Sequence, residues 1–315
     1  RKAGLRLDHR DGLFGLTSDG PIVAPGDLAS SLLWQRITAT DPDDRMPPRS
    51  APHALNDTQI EQIGKWILDG ATWQEHWAFT PPVQTDAPDV DLEQWCHDPI
   101  DHHVLAFLEA EGLAPSPPAD KATLLRRLTF DLTGLPPSIE ELDAFESDTG
   151  SRAVHRAVDR LLSTPAYGEH MAAQWLDLAR YADTYGYQND VSRHVWPYRD
   201  WVVRAFNDGL PYDDFLTWQL AGDLLPDPTT DQQLATAFNR LHRQTNEGGS
   251  IEEEFRVEYV SDRVDTFGTV MLGLTAQCAR CHDHKFDPIS HREYYQLWSY
   301  FDDIDECGLY SHFTS

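Results

Sequence analysis

Two cysteines and a histidine towards the end of the sequence have the types and spacing of a chemical site. Cys278 and Cys281 stand three positions apart, and His282 follows directly. Two thiols at this spacing can form thioethers with the two vinyl groups of one porphyrin, and the adjoining imidazole can then bind the iron as its proximal ligand. The string Cys278 to His282 therefore predicts covalent attachment of one haem c.

Two other kinds of site use the same residue types. A thioredoxin-like redox pair needs a strand that leads into a helix, and the sequence before Cys278 shows no such strand. A zinc site needs a second pair of ligands, which the isolated Cys96 and Cys307 do not supply. Haem is the favoured interpretation. Because haem is attached to c-type cytochromes on the oxidising side of bacterial membranes, we expect a periplasmic or other extracytoplasmic location.

The remaining thiols, Cys96 and Cys307, lie outside the haem motif. An oxidising compartment permits disulfides, so we predict a bridge between these two cysteines. The bridge requires their Cα atoms to lie within about 7 Å of each other, a condition that position along the chain does not fix.

The ligand on the other face of the iron separates electron transfer from catalysis. His242 is our first candidate, because it precedes the turn Asn246 to Gly249 that redirects the chain into the helix leading to the haem motif. His170 and His194 are the alternatives. The sequence leaves open whether any of them binds the iron.

Arg180, Arg199 and Arg243 are candidate partners for the haem propionates. A guanidinium group pairs bidentately with a carboxylate, which is the geometry that such a contact needs. The alternative is that each is an ordinary surface arginine or pairs with another helix of the protein.

The stretch after the motif is unusually polar. His284 is either a hydrogen-bonding residue behind the haem, a proton relay, a ligand to some other metal, or a surface histidine whose hydrogen bonds are satisfied. Asp283 and Asp287 offer oxygen ligands for calcium, with a solvated acidic loop as the simpler interpretation.

Aromatic residues alternate with charged ones in two strings, Arg180 to Tyr187 and Trp196 to Trp201. Aromatic faces beside carboxylates and guanidinium groups can bind a sugar or pack against the edge of a porphyrin. The alternative is an aromatic-rich core between helices.

The composition excludes several classes of partner. The 315 residues include 25 Lys and Arg against 52 Asp and Glu, a formal net charge of −27. Such a charge repels phosphate backbones and anionic lipid surfaces, so we expect no nucleic-acid partner. No stretch approaches the roughly 18 consecutive apolar residues of a membrane-spanning helix.

The periodicity of apolar residues predicts helix after helix and no convincing strand. Capping boxes are predicted at Thr58 with Glu61, at Ser250 with Glu253 and at Ser290 with Glu293. A buried stripe at Val260, Val264, Phe267, Met271 and Leu274 is predicted to lead directly to the haem motif. We therefore expect a mostly α protein, with a cytochrome c-like fragment at residues 1–80, a linker at 81–97 and a larger all-helical haem domain at 98–315.

Six strings together resemble the large haem-attachment domain of unknown function in the planctomycete cytochrome c family. They are LTGLPP (132–137), WLDLARYAD (175–183), WPYRDW (196–201), QLAGDLL (219–225), NEGG (246–249) and CARCHDHKFDPIS (278–290).

The segment before this domain resembles the back part of the small cytochrome c domain of the same family. The resemblance rests on KAGLRLD (2–8), RMPP (45–48) and HWAF (76–79). It implies that Met46 is the distal ligand of a second haem c, whose attachment motif would lie upstream of Arg1, so we expect the sequence to begin inside a longer protein.

We therefore expect a periplasmic c-type cytochrome that carries one covalent haem in this chain and transfers electrons to a redox partner protein, within a larger multi-haem protein. One alternative is a haem enzyme that oxidises a carbohydrate or reacts with peroxide, with a glycan or another small molecule as substrate. The other is a structural or docking module in which the haem stabilises the fold.

Overall fold

A computed structural model describes residue 7 and residues 10–48, 51–74, 76–187 and 190–310 of the chain. Within these ranges the protein has 13 α-helices and one two-stranded antiparallel sheet, so the predicted mostly α fold is confirmed. The chain divides into two compact units, residues 1–115 and 116–315. The KAGLRLD string lies, apart from Leu7, outside the described residues.

Among its described residues, the first unit contains four helices and the small sheet. Its elements are α1 (Arg10–Leu13), β1 (Leu16–Thr17), β2 (Gly20–Pro21), α2 (Leu32–Thr38), α3 (Asp57–Leu68) and α4 (Pro99–Ala110), with 3₁₀ turns at Trp77–Phe79 and Glu93–Trp95. The core lies between α2 and α3, where Ile37 and Ile67 are buried together with Val23. Residues 81–90, in the predicted linker, form neither helix nor strand. The predicted domain limits stay a prediction.

The second unit contains nine helices among its described residues. They are α5 (Lys121–Thr133), α6 (Ile139–Ser147), α7 (Ala153–Leu162), α8 (Pro165–Leu178), α9 (Trp196–Asn207), α10 (Tyr212–Ala221), α11 (Thr230–Ala235), α12 (Glu252–Leu272) and α13 (His291–Asp302). Short 3₁₀ turns lie at Gly222–Leu224, Thr236–Arg240 and Ala276–Arg280.

An aromatic core joins α8, α9 and α10. The indole N–H of Trp175 donates to the side-chain oxygen of Gln219 at 2.9 Å, and the hydroxyl of Tyr198 donates to the same oxygen at 2.6 Å. Trp201 stacks on Phe215 with a ring separation of 5.4 Å. The string Trp196 to Trp201 therefore belongs mainly to the core, which was the alternative to a ligand platform.

A second core lies between α12, α13 and the 3₁₀ turn Ala276–Arg280. Val260 and Val264 of α12 are fully buried against Tyr294 of α13, which confirms those two positions of the predicted stripe. The helix α12 ends at Gly273, whose φ of 65° is left-handed and strains other residue types. Leu274 therefore lies beyond the helix, and the chain turns towards Cys278.

The three predicted capping boxes have different outcomes. Ser290 with Glu293 forms the predicted box at the start of α13. At α3 the prediction of Thr58 with Glu61 is wrong, because Asn56 with Gln59 makes the box two residues earlier. At α12 the prediction is also wrong, because the N-cap is Ile251 and no side chain caps the helix.

None of the helices in the described ranges combines the length and the apolar character needed to cross a membrane.

The cap at Ser290 gives a direct test of the local structure. We predict that Ser290→Ala lowers the free energy of unfolding by about 1 kcal/mol, because the N–H of Glu293 loses its acceptor. Ser250→Ala, the matched control, should change it by less than about 0.5 kcal/mol, since Ser250 caps nothing. Urea unfolding followed by circular dichroism measures both, and equal losses would contradict the assignment.

Candidate haem-attachment site

The two thiols of the motif lie in and directly after a 3₁₀ turn, Ala276–Arg280. Residues three apart in a 3₁₀ helix lie one above the other, so Ala276 and Ala279 occupy one side of the turn. The two alanines are 2% and 0% exposed and pack into the core with α12 and α13. Cys278, within the turn, and Cys281, at its C-terminal end, are both exposed on the surface.

His282 has a ring orientation suited to metal ligation. Its Nδ1 lies 2.8 Å from the backbone carbonyl oxygen of Asp283. A carbonyl only accepts, so Nδ1 carries the proton and donates, which leaves Nε2 with its lone pair. No described residue hydrogen-bonds to this Nε2, and the residue is exposed. Metal-binding histidines commonly hold their other ring nitrogen in this way.

The polar loop after the motif is held by its own side chains. His284 is 9% exposed, and its Nδ1 accepts from the backbone N–H groups of Phe286 and Asp287 at 3.2 and 2.6 Å. Asp287 accepts from the N–H of Thr275 at 3.2 Å, and Asp283 accepts from that of His291 at 3.0 Å. These groups shape the loop that carries His282.

In the part of the chain that the structure describes, no three His, Cys, Asp or Glu side chains converge to hold a metal ion. Calcium at Asp283 and Asp287 therefore gains no support.

His242 lies in a buried polar cluster formed by Glu306, Arg263 and Tyr310. Its Nδ1 donates to the backbone carbonyl of Arg243 at 2.9 Å. Its Nε2 lies 2.9 Å from a carboxylate oxygen of Glu306 and 3.1 Å from the guanidinium of Arg263. Burial lowers the pKa of His242, and Glu306 opposes that shift. Nε2 accepts from Arg263 when the ring is neutral, and it donates to Glu306 when the ring is protonated.

Both ring nitrogens of His242 therefore have protein partners. Its role as a distal haem ligand stays a prediction, one that requires Nε2 to leave Glu306 and Arg263. Of the alternatives, His170 packs against Gly134 at the end of α5, and His194 is exposed.

Glu306 and Arg263 form the centre of this cluster, and their side chains are only 2% and 1% exposed. Burial alone raises the pKa of Glu306, but its interactions with His242, Arg263 and the hydroxyl of Tyr310 outweigh that effect and lower the pKa to about 2. Sequence reasoning missed these residues. The available signal was Arg263, a charged residue between Val260 and Val264 in a stripe predicted to be buried.

The three predicted propionate partners have different surroundings. Arg199 pairs with Asp200 at 2.8 Å. Arg180 is paired with Asp262, and burial, aided by Arg263, lowers its pKa to about 10, while its Nη2 is buried without a hydrogen-bond partner among the described residues. The guanidinium of Arg243 lies 5.2 Å from the ring centre of Tyr187 and forms no ion pair with a described carboxylate. Contact of any of them with a propionate stays a prediction.

A cavity of about 150 Å³ lies between the side of α12, residues 242–245 and the 3₁₀ turn Ala276–Arg280. We call this turn the attachment turn, because it carries Cys278 of the candidate haem motif. Gln277 and Arg280, which flank Cys278 and Ala279, contribute to its wall. Arg280 is tied to Glu258 of α12 by an ion pair, so the turn is fixed to the helix on the cavity side.

Neither remaining thiol is bridged in the structure. Cys96, in the first unit, and Cys307, in the second, are both free, so the predicted disulfide is not formed. Cysteines far apart in sequence pair only when folding brings their Cα atoms together, and spacing carries no information on this distance.

Met46 lies in the first unit, after α2. It is half-buried, and its backbone N–H donates to the carbonyl of Arg36 at 3.0 Å. Its role as a ligand of a second haem stays a prediction.

Comparison with known families gives two matches. The family described as "Protein of unknown function (DUF1549)" matches residues 99–306, which include the attachment turn, and the family described as "Planctomycete cytochrome C" matches residues 1–50. This confirms the resemblance drawn from the sequence strings and its layout. Searches of curated proteins and of solved structures gave no significant match.

The Glu306 cluster yields a test of stability. We predict that Glu306→Gln lowers the free energy of unfolding at pH 7 by about 3 kcal/mol, because the charge of Arg263 is then buried without its partner. The folded pKa of about 2 lies below the ordinary 4.5, so the stabilisation is present above pH 4.5 and is lost as the pH falls towards 2. The difference in the free energy of unfolding between the variant and the wild type should therefore shrink as the pH falls from 4.5 towards 2.

Chemical denaturation across this pH range measures the difference. Glu253→Gln is the control, because Glu253 forms an exposed pair with Arg256 and such pairs contribute little. A pH-independent difference, or an equal effect of the control, would contradict the assignment.

Proposed function

The chain belongs to the family of unknown function DUF1549, with a planctomycete cytochrome c segment at residues 1–50, and from this membership we propose that it is a c-type cytochrome that transfers electrons. Similarity to a cytochrome c family implies covalent haem c. We assign the attachment in this chain to Cys278 and Cys281, with His282 as the proximal ligand.

The observation that carries this proposal is the hydrogen bonding of the His282 ring. Its Nδ1 is held by the carbonyl of Asp283 at 2.8 Å, and its Nε2 has no described partner. A histidine that only stabilised the loop would use both nitrogens or turn into the protein, as His284 does. The donor set of two exposed thiols and one oriented imidazole fits haem c.

The residues of the chain explain why the site suits electron exchange. Haem c supplies a one-electron iron couple when it is bound. Ala276 and Ala279 hold the turn against the core, so the thiols keep their positions, and the hydrogen bond to Asp283 keeps the imidazole in one tautomer. Because the motif is exposed, a partner protein can approach it. The net charge of −27 favours a partner with a basic surface.

We place this activity outside the cytoplasm, because covalent haem attachment takes place there. Met46 in the first unit is the proposed ligand of a second haem, which would make the chain part of a longer electron path.

Covalent retention of haem tests the attachment. In the mature protein, haem should stay with the polypeptide on denaturing electrophoresis, as shown by haem staining. We predict that Cys278→Ser with Cys281→Ser abolishes the stain, because both thioether bonds are lost. Cys96→Ser with Cys307→Ser is the matched control and should keep the full stain. Full retention in the first double variant would refute the assignment.

Ligand binding tests the choice between a carrier and an enzyme. A carrier needs no open coordination position, so we expect a low-spin ferric spectrum and slow binding of carbon monoxide to the reduced protein. If His242 is the distal ligand, its Nε2 leaves Glu306 and Arg263 when haem is bound, and His242→Ala should convert the ferric spectrum to high spin and let carbon monoxide bind the reduced form quickly. An unchanged low-spin spectrum in this variant would show that another residue binds the iron, and fast carbon monoxide binding by the wild type would favour the enzyme alternative.

A further inference from the structure

The cavity beside the attachment turn has the size and the lining of a small-molecule site. Its volume is about 150 Å³. Liquid water occupies about 30 Å³ per molecule, so the cavity has room for about five waters or for one small ring-shaped molecule.

The charges around the cavity balance. Glu258, Asp262 and Asp265 lie at intervals of four and three along α12, so all three carboxylates are on one face of the helix. Arg280 neutralises Glu258, and Arg180 neutralises Asp262.

One carboxyl and one guanidinium remain in the cavity wall. Asp265 forms no ion pair with a described residue, although the charges of Arg280 and Arg180 act on it, and the hydroxyl of Tyr294 lies 3.4 Å from its carboxylate. Burial raises the pKa of Asp265 to about 6. Arg243 is the unpaired cation. An anionic ligand would meet the repulsion of the carboxylates and a cationic one that of the guanidinium groups, so the balance favours an uncharged ligand.

Gln244 adds a polar group to the cavity lining. The residue is 7% exposed, and its side-chain amide makes no hydrogen bond to a described residue. The amide atoms stay open to the cavity, so they are free to bind a molecule inside it. Its carbonyl oxygen and NH₂ group together match hydroxyl groups, which both donate and accept.

An apolar wall completes the lining. The rings of Tyr187 and Phe255 pack edge to face with centres 5.7 Å apart, and both residues contact the cavity. A sugar ring has C–H groups on its faces and hydroxyl groups around its edge, which fits an aromatic wall beside amide, carboxyl and guanidinium groups.

We propose that this cavity binds one small, uncharged, polyhydroxylated molecule of the size of a single sugar ring. Gln244 and Asp265 contact its hydroxyl groups, and Tyr187 and Phe255 contact its apolar face. Gln277, at the exposed edge of the cavity, places the bound molecule beside the attachment turn. The inference is independent of the proposed electron transfer, because binding requires no change of oxidation state.

Saturation-transfer NMR on the full, haem-loaded chain tests the proposal with a panel of neutral sugars: glucose, galactose, mannose, xylose and fucose. We expect saturable binding of at least one of them, with a dissociation constant on the order of 1 mM. Glucuronate and glucosamine, a charged acid and a charged amine of the same ring size, should bind at least about tenfold more weakly. Absence of saturable binding by all five neutral sugars, or tighter binding of either charged ring, overturns the proposal.

Substitutions locate the binding. Gln244→Leu should raise the dissociation constant of the tightest-binding neutral sugar about tenfold, because the amide contacts are lost. Gln277→Leu, at the exposed edge of the cavity, should raise the same dissociation constant about threefold. This variant replaces Gln244→Leu in the test if Gln244→Leu fails to fold. Gln296→Leu, on the exposed side of α13 and outside the cavity, is the matched control and should leave binding unchanged. Unchanged binding in a folded Gln244→Leu variant, or in Gln277→Leu when Gln244→Leu does not fold, refutes the site.

Discussion

The buried pairing of Glu306 with Arg263 is the interaction on which the C-terminal half of the second unit depends. Arg263 also donates to the backbone carbonyl of Asn239 at 2.6 Å, so one guanidinium joins α12 to the segment before His242 and to the chain after α13. A charge buried without its partner costs several kcal/mol, so these three segments are stable only together. Residues 242–245 and α12 form walls of the cavity, and α12 leads to the attachment turn.

The attachment turn shows how a short stretch of sequence produces a reactive surface. Small apolar residues at Ala276 and Ala279 allow the turn to approach the core closely. Cys278 within the turn and Cys281 at its C-terminal end are then left exposed. His282 follows at the end of the turn, and hydrogen bonds to His284 stabilise the loop that holds it. The polar character of this loop therefore reflects its hydrogen bonds.

Local patterns predicted some features well and others poorly. The box of Ser290 with Glu293 formed as expected, with both of its side-chain to backbone hydrogen bonds present. Asn56 replaced Thr58 at α3, because the helix begins at Asp57 and Thr58 already lies inside it. At α12 the start is set by tertiary packing: Gly308 lies so close to the carbonyl of Glu252 that a larger residue would clash. A local motif cannot encode such a contact.

The sequence by itself determined the helical class, the family and the choice of Cys278, Cys281 and His282 as the candidate haem-attachment residues. Each of these depends on residues that are neighbours along the chain. Only the tertiary structure decided which groups satisfy His242, whose partner Glu306 is 64 positions away. It also decided that Arg180 is paired while Arg243 is not, and that Cys96 and Cys307 remain free. The physical reason is that hydrogen bonds and ion pairs act over a few ångströms, and the packing of distant segments sets which groups come that close.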